Sequence, residues 1–261
     1  MHDADDLDDA TMLAFARETR LSETTFVQEA ARGGEADYRN RIWTPAGEIP
    51  FAGHPSLGTA VAVARQRGEE EASFVQRTQA GLQPVDVTLD GDRATTSMLQ
   101  EPAEFGDELD PGSALAALAL EPADAHPDLP PQRVSTGVFQ YLLPLSSDEA
   151  LARIEPDYDA VGAILKPFGN VVMYAFHLDA GARIAHARGF CFDAEMGEDP
   201  ATGSAAGSLM AYVARRVSLD ELTITQGVEM ERPSELRCAL DGERVRVSGE
   251  AVVVADAELR L

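Results

Sequence analysis

The chain has 261 residues, of which 44% are hydrophobic, so it is long and apolar enough for one large domain or two smaller ones and is not a disordered protein. It carries 45 acidic and 21 basic residues, and the resulting net charge of −24 should repel nucleic acid and anionic membranes. No apolar run approaches the ~20 residues that span a bilayer and no secretory signal is visible, so a cytoplasmic protein is expected.

The first half of the chain predicts a helix, several strands and a second helix. An apolar face behind a capping acid, Asp8 or Asp9, predicts a helix over residues 8–20. A glycine-rich box at residues 51–59, Phe-Ala-Gly-His-Pro-Ser-Leu-Gly-Thr, leads into an apolar helix that Gly68 can end. This helix has no polar stripe until its end, which predicts burial on all sides. The predicted ranges are helix 57–67 and strands 21–27, 38–45, 73–78, 84–90 and 93–100.

Residues 101–133 are rich in proline, alanine and acids and are the best place for a domain boundary. We therefore expect an N-terminal half over residues 1–112 and a C-terminal half over 113–254, with 255–261 as a candidate to return to the first half. A second box, Glu-Asp-Pro-Ala-Thr-Gly-Ser-Ala at residues 198–205, again precedes a helix of small residues. The predicted ranges are helices 113–120, 157–166 and 204–215, and strands 138–145, 170–178, 182–192, 222–226, 235–240, 244–248 and 251–254.

The order of elements repeats. A helix followed by a strand occurs at 8–27 and again at 157–178, and a box followed by an apolar helix occurs at 51–67 and again at 198–215. Both offsets are about 148 residues, although residue identities do not repeat. This order predicts an internal duplication in which each half wraps its strands around one helix.

The charge also predicts the environment of the protein. Of the basic residues only Lys166 is a lysine, and the rest are arginines. A salt-filled cytoplasm favours such a composition, because at 1 M salt the Debye length falls to ~3 Å and the repulsion among carboxylates is screened. An acidic protein of a GC-rich mesophile is the alternative reading.

The two boxes place polar side chains and backbone N–H groups at helix starts, where an anion binds without a metal or cofactor. Neither box is a phosphate loop or a serine-hydrolase elbow, and the five histidines and the two cysteines, Cys191 and Cys238, are not spaced as metal ligands or as a disulfide framework. Once these sites are excluded, acid–base chemistry by His54 and Asp199 is the remaining interpretation. The alternative is that the same two side chains only cap their helices. Glu23 by itself reads as a surface residue.

Three segments together resemble the PhzF family of phenazine biosynthesis. They are Leu-Ser-Glu-Thr-Thr-Phe-Val at residues 21–27, Pro-Phe-Ala-Gly-His-Pro-Ser-Leu-Gly-Thr-Ala at 50–60 and Glu-Asp-Pro-Ala-Thr-Gly-Ser-Ala at 198–205. They occur in the family's order and at about its spacing. The resemblance implies an α+β fold of the diaminopimelate epimerase type, with two pseudo-symmetric halves, each a mostly antiparallel β-sheet rolled around a central α-helix. It also implies an active site in the cleft between the halves and a homodimer.

The resemblance implies roles for seven residues. Glu23 takes the place of the family's general acid/base, and His54 and Asp199 line the cleft as further catalytic residues. Gly53, Thr202, Gly203 and Ser204 take the place of residues that bind the substrate carboxylate. The boxes carry Ala52 and Thr202 roughly where related racemases place cysteines, so a two-thiol racemase is not expected. Members of the family begin with a strand ahead of the point where this chain starts, and we expect either a longer natural protein or a half that lacks this strand.

We therefore expect a cofactor-independent isomerase that uses no metal and moves a proton between carbons of a small carboxylic acid. The shuttling is expected to need a Glu23 carboxyl whose pKa is raised by desolvation. An epimerase or racemase of an amino or hydroxy acid, and a protein that binds a small acid without turnover, are the alternatives. The residues do not identify the acid.

Overall fold

The computed structural model describes residues 1–30, 34–169, 172–192 and 197–259. The chain forms two compact units, Met1–Leu99 with Ser248–Leu261, and Gln100–Val247. These boundaries differ from the expected ones at 112/113 and 254/255. The strand Glu104–Glu108 lies antiparallel to Gln132–Ser135 of the second unit, and this pairing assigns residues beyond 99 to that unit.

The first unit is a mostly antiparallel sheet with two helices. The bounds of its elements are α1 Asp9–Thr19, β1 Thr24–Glu29, β2 Tyr38–Thr44, β3 Gly47–Ile49, α2 Gly53–Arg67, β4 Glu71–Thr78, β5 Gly81–Asp90 and β6 Arg93–Leu99. The strands follow the order β1-β2-β4-β5-β6, with β3 on β2, and every pair is antiparallel except β2 with β4.

The second unit repeats this plan with additional elements. The bounds of its elements are β7 Glu104–Glu108, α3 Gly112–Ala117, β8 Gln132–Ser135, β9 Phe139–Pro144, α4 Asp148–Ala152, α5 Tyr158–Leu165, β10 Val172–Asp179, β11 Ile184–Cys191, β12 Glu198–Asp199, α6 Gly203–Val217, β13 Glu221–Gln226 and β14 Ser234–Asp241. The strands follow the order β14-β13-β11-β10-β9-β8-β7, with β12 on β11, and the pairs β9/β10 and β11/β13 are parallel. The chain returns to the first unit within β15, Arg244–Val252.

The predicted duplication is confirmed in the order of the elements. The run β2-β3-α2-β4 of the first unit corresponds to β11-β12-α6-β13 of the second. In each run the helix has 15 residues and connects two parallel neighbouring strands, so it crosses the face of its own sheet. Helix α2 contacts β1, β2, β4, β5 and β6, and α6 contacts β8, β9, β13 and β14. Each unit is thus a sheet around a central helix, as expected of the fold class.

Strand β10 shows how each sheet separates two hydrophobic cores. Because successive side chains of a strand point to opposite faces, alternate residues of β10 enter different cores. Tyr174 and Phe176 pack in the core around α6, whereas Met173 and Ala175 pack in the core that α3, α4 and α5 cover. In the first unit, the core under α2 and the core under α1 share β1 in the same way.

Several local predictions are confirmed and others are corrected. Asp8 caps α1 through its side chain, and Gly68 ends α2 in the left-handed conformation at φ 69°. Helix α2 begins at Gly53 rather than at residue 57, so the box itself forms its first turns. Nine consecutive residues of α6 are buried, but α2 is exposed at Gly58 and is therefore not buried on all sides.

The remaining differences concern strands. The ranges 244–248 and 251–254 are one strand that ends at Val252. Residues 170–171 of the predicted strand 170–178 lie outside the described residues. Five short strands and helices were not predicted, because two to five residues carry too little periodicity; they are β3, β7, β8, β12 and α4. Among the described residues, no helix is long and apolar enough to cross a membrane.

Candidate active site

In the first unit the structure brings Glu23 and His54 together. Glu23 immediately precedes β1, and His54 lies in the first turn of α2. The Oε2 atom of Glu23 lies 2.9 Å from Nε2 of His54, and the side chains are 17% and 46% exposed. Because β1 packs against α2, the residue before the strand lies beside the start of the helix. The hydroxyls of Thr25 and Thr59, 2.8 Å apart, join the same two elements.

The pKa of Glu23 is lowered, which corrects the expectation of a raised value. Burial of the carboxyl acts to raise its pKa. The hydrogen bond and charge of His54, together with a hydrogen bond from Ser22, outweigh the burial and favour the ionised form. Glu23 is therefore a carboxylate at neutral pH, which is the form of a proton acceptor.

The start of α2 is open to an anion. Its N-cap residue is Ala52, and no described side chain caps the helix. Among the described residues, no capping side chain therefore occupies the N–H of Gly53 or the positive end of the helix dipole at this turn. His54 lies inside this turn and is not the N-cap, so the alternative interpretation of His54 as a helix-capping residue is wrong.

Asp199 lies in β12, three residues before the N-cap of α6, which is Thr202. The alternative reading of Asp199 as the N-cap is therefore wrong as well. Instead its carboxylate accepts a hydrogen bond from Oγ1 of Thr202 at 2.7 Å. Since α6 has no side-chain cap among the described residues, its first N–H groups are as open as those of α2.

Hydrogen bonds from the surrounding core hold the first turn of α6. Gln100 donates to the carbonyl of Gly203 at 2.9 Å, and Gln140 donates to the hydroxyl of Ser204 at 3.1 Å. These contacts occupy a carbonyl and a hydroxyl rather than the backbone N–H groups of the turn. Hydrogen bonds to side chains thus hold Asp199, Thr202, Gly203 and Ser204, which form one segment of the second unit.

Sequence reasoning missed the side chains that support these segments. Gln226, wholly buried at the end of β13, donates to the carbonyl of Asp199 at 2.6 Å. Arg188 of β11 forms two hydrogen bonds with Glu198, the neighbour of Asp199, at 2.9 and 2.8 Å. One signal for Gln226 was present: Gln76 precedes it by 150 residues, which is about the offset of the boxes.

The two cysteines lie outside the two boxes. Cys191 and Cys238 are both buried in the hydrophobic core around α6. Burial raises the pKa of the Cys238 thiol to about 12 and so disfavours its thiolate. No group of three or more His, Cys, Asp or Glu side chains in the described ranges is arranged to hold a metal ion.

Comparison with known proteins agrees with this architecture. The family model of the phenazine biosynthesis-like proteins, PhzC-PhzF, matches residues 1–257. The trans-2,3-dihydro-3-hydroxyanthranilate isomerase of Pseudomonas aeruginosa is 35% identical over 256 residues, which cover 96% of this chain and 86% of that protein.

Solved structures show the same fold. A predicted epimerase from Pseudomonas aeruginosa superposes with a TM-score of 0.81 at 31% identity, covering 98% of this chain and 92% of the other. A probable proline racemase from Agrobacterium radiobacter superposes with a TM-score of 0.62 at 13% identity, covering 95% and 82%, and shares the fold alone. The match of the family model over nearly the whole chain and the curated isomerases among its relatives lead to one conclusion: the chain belongs to the PhzC-PhzF family of phenazine biosynthesis-like proteins and is an isomerase.

Proposed function

We propose that the protein moves a proton between two carbons of a small carboxylic acid, with Glu23 as the general acid and base and without a cofactor. The observation that carries this proposal is the 2.9 Å approach of Glu23 to His54 beside an open helix start. A mostly buried carboxylate next to a helix N-terminus combines a proton acceptor with a binding place for the substrate's own carboxylate.

The reaction proceeds in two proton transfers. The Glu23 carboxylate takes a proton from a C–H bond, and the electron pair left on carbon delocalises into the adjacent unsaturated system of the acid. The Glu23 carboxyl, now protonated, returns the proton to a different carbon, and the enzyme regains its starting state. His54 favours the ionised form of Glu23 before the first transfer and shares its proton after it.

The remaining five residues bind and orient the acid. The backbone at Gly53 and the turn at Gly203 and Ser204 hold its carboxylate, as donors at helix starts do for anions. Asp199, with the Thr202 hydroxyl bound to it, accepts hydrogen bonds from the substrate. Carboxylate oxygens act as acceptors when ionised, which suits an amino or hydroxyl group.

The first substrate to test is trans-2,3-dihydro-3-hydroxyanthranilate, which appears in the name of a relative 35% identical to this chain. The enzyme and this acid are incubated in D2O, and isomerisation and deuterium incorporation are followed by NMR. We expect Glu23→Gln to lose deuterium incorporation by about 10²–10⁴-fold, the size of a general acid/base contribution. Glu29→Gln, an exposed glutamate at the other end of β1, serves as the matched control and should keep the wild-type rate. Near-wild-type exchange by Glu23→Gln would falsify the mechanism.

An epimerase is the second candidate, because a solved relative 31% identical to this chain is described as a predicted epimerase. In that reaction the proton returns to the same carbon from the opposite face, with Glu23 and Asp199 or His54 as the two-sided pair. Chiral analysis of the product separates the two reactions. A shifted double bond supports the isomerisation, and an inverted centre with the same connectivity supports the epimerase. Ligand-induced stabilisation of the wild-type protein without deuterium exchange would instead favour a binding protein.

We propose further that the active species is a homodimer, as the resemblance to the family implies. Light scattering during gel filtration measures this directly. The expected mass is twice that of the 261-residue chain, and a monomer mass would contradict the assignment.

A further inference from the structure

A buried hydrogen-bond network in the second unit surrounds Asp199 and Thr202. Its centre is the side chain of Gln226, which is 0% exposed. Its Nε2 donates to the carbonyl of Asp199 at 2.6 Å and to Oγ1 of Thr202 at 3.0 Å, and its Oε1 accepts from the N–H of Thr202 at 3.0 Å. One amide group therefore binds both ends of the segment from Asp199 to Thr202.

A second buried side chain fixes this amide. The hydroxyl of Tyr174, which is also 0% exposed, donates to Oε1 of Gln226 at 2.8 Å. The Tyr174 hydroxyl and the backbone N–H of Thr202 both donate to this atom of Gln226. It must therefore be the oxygen, and this fixes the orientation of the amide. Gln226 then presents its two N–H groups toward Asp199 and Thr202.

The network extends to the carboxylate of Asp199. The Thr202 hydroxyl accepts from Gln226, so its own proton points to Oδ2 of Asp199 at 2.7 Å. Gly189 of β11 makes room for this arrangement. A Cβ at Gly189 would lie 2.9 Å from Oγ1 of Thr202 and 3.1 Å from Nε2 of Gln226, so any side chain there would displace both.

The first unit provides an internal comparison. Gln76 lies 150 residues before Gln226, in the strand β4 that corresponds to β13, and is also 0% exposed. It accepts a hydrogen bond from Asn40, but its Nε2 has no partner among the described residues. The positions 150 before Asp199 and Thr202 are Ile49 and Ala52, which offer neither a carboxylate nor a hydroxyl. The network is therefore specific to the box that carries Asp199.

We propose that Gln226, oriented by Tyr174, is a positioning residue that fixes the Asp199 carboxylate through Thr202 for the reaction. This inference rests on the proposed role of Asp199 in orienting the substrate. Gln226 touches no reacting atom. It acts by holding an acceptor within the fraction of an ångström that catalysis requires, since a displacement of about 1 Å can cost ~10²-fold in rate.

The first test compares two tyrosines. Tyr174 and Tyr212 are both wholly buried in the core around α6, and Tyr212 donates to the carbonyl of Pro130 at 2.7 Å. Tyr174→Phe and Tyr212→Phe each remove one buried hydroxyl with its hydrogen bond, so the two variants should lose similar stability. We expect kcat for trans-2,3-dihydro-3-hydroxyanthranilate to fall about tenfold in Tyr174→Phe with KM changed less than about threefold, and to stay at the wild-type value in Tyr212→Phe.

The second test uses Gln226→Glu, which keeps the shape of the side chain. The introduced carboxyl is buried, so its pKa is raised, and in its protonated form it still donates one hydrogen bond. Once ionised, it places a negative charge beside the carbonyl oxygen of Asp199 and repels it. We expect kcat relative to wild type to fall at least tenfold between pH 5 and pH 8, while far-UV circular dichroism shows a folded protein throughout. A purely structural role would lower kcat by the same factor at every pH.

The outcomes separate this inference from the proposed function. If Glu23→Gln loses exchange but Tyr174→Phe and Tyr212→Phe have equal kcat, the network does not position Asp199 and the inference alone is wrong. A Gln226→Glu variant whose pH profile runs parallel to that of the wild type would likewise show that the inference alone is wrong. If the wild-type protein exchanges no deuterium into the probe, the proposed function and this inference both fail.

Discussion

At the scale of single residues, the environment of Glu23 is set by two opposed effects. Burial favours the neutral carboxyl, whereas His54 and Ser22 favour the carboxylate, and the carboxylate prevails. His54 is about half exposed, so it is available both to the carboxylate and to a bound acid. Under the proposed mechanism, the pair can therefore gain or lose a proton when substrate binds, which a fully buried ion pair could not do without a large desolvation cost.

The first prediction concerns the acidic limb of the pH–rate profile. Glu23 acts as a base when ionised, so wild-type activity should be lost as the pH falls through the lowered pKa of Glu23, below its usual value of about 4.5. His54→Gln removes the strongest cause that lowers this pKa and leaves burial, which raises it. The acidic limb should therefore move to higher pH, in addition to any loss of maximal rate.

The measurement is the initial rate of deuterium incorporation between pH 3 and pH 8. His186→Gln is the control, because His186 forms its ion pair with Asp148 on the surface of the second unit. It should leave the limb in place. An acidic limb at the wild-type position in His54→Gln would show that His54 does not set the ionisation of Glu23.

At the scale of elements, the two units use the same kind of ion pair to attach the short strand that leads into each central helix. Arg41 of β2 binds Glu48 of β3 through two hydrogen bonds at 2.8 and 2.7 Å. Arg188 of β11 binds Glu198 of β12 through the same atoms at 2.9 and 2.8 Å. Such bidentate pairs restrict geometry as well as distance. Each therefore orients a two- or three-residue strand that has too few backbone hydrogen bonds to orient itself.

The second prediction compares two arginines of β11 and its start: Arg188, which is buried within the strand, and Arg183, which is exposed and directly precedes it. Arg188 is 6% exposed and also donates to the carbonyls of Leu151 and Ile154. Arg188→Met leaves Glu198 buried without its partner, and we expect the free energy of unfolding to fall by about 3–5 kcal/mol. Arg183→Met removes only an exposed pair with Asp220 and Glu221 and should cost less than about 1 kcal/mol.

Urea denaturation monitored by circular dichroism gives both values. The double variant Arg188→Met with Glu198→Leu tests the cause, because it removes the unpaired charge together with its partner. It should recover a large part of the loss. If the single and the double variant lost the same free energy of unfolding, the loss would come from packing rather than from the unpaired charge of Glu198.

At the scale of the whole molecule, the net charge of −24 dominates the solution behaviour. Like charges repel one another most in the compact state, so the charge destabilises the folded protein at low ionic strength. Salt at 1 M shortens the Debye length to ~3 Å and removes most of this repulsion. The composition alone thus supports the expectation of a protein suited to a salt-rich environment.

The third prediction is that the thermal midpoint rises between 0.1 M and 1 M KCl. We expect a rise of at least about 3 °C, which corresponds to about 1 kcal/mol for a chain of this size. The control variant Glu70→Gln with Glu71→Gln removes two adjacent exposed carboxylates at the start of β4. It should have a higher midpoint at 0.1 M KCl and gain less from added salt. A midpoint that does not respond to KCl would contradict the salt adaptation.

The sequence by itself determined the elements that depend on local chemistry. The capping of α1 by Asp8, the end of α2 at Gly68 and the repeated order of boxes and helices all follow from residues close together in the chain. The candidate residues Glu23, His54 and Asp199 were identifiable because short motifs carry them. The family and the α+β fold follow from the same motifs.

Only the tertiary structure decided which side chains position these motifs and which ionisation state Glu23 adopts. Gln226 reaches Asp199 across 27 residues and Tyr174 across 52, and no periodicity of the chain reports such contacts. The sign of the Glu23 pKa shift depends on the balance between burial and the hydrogen bond from His54, and both exist only in the folded chain. Local patterns specify where helices and strands form, but the balance of desolvation and pairing requires atoms that the fold alone brings within hydrogen-bond distance.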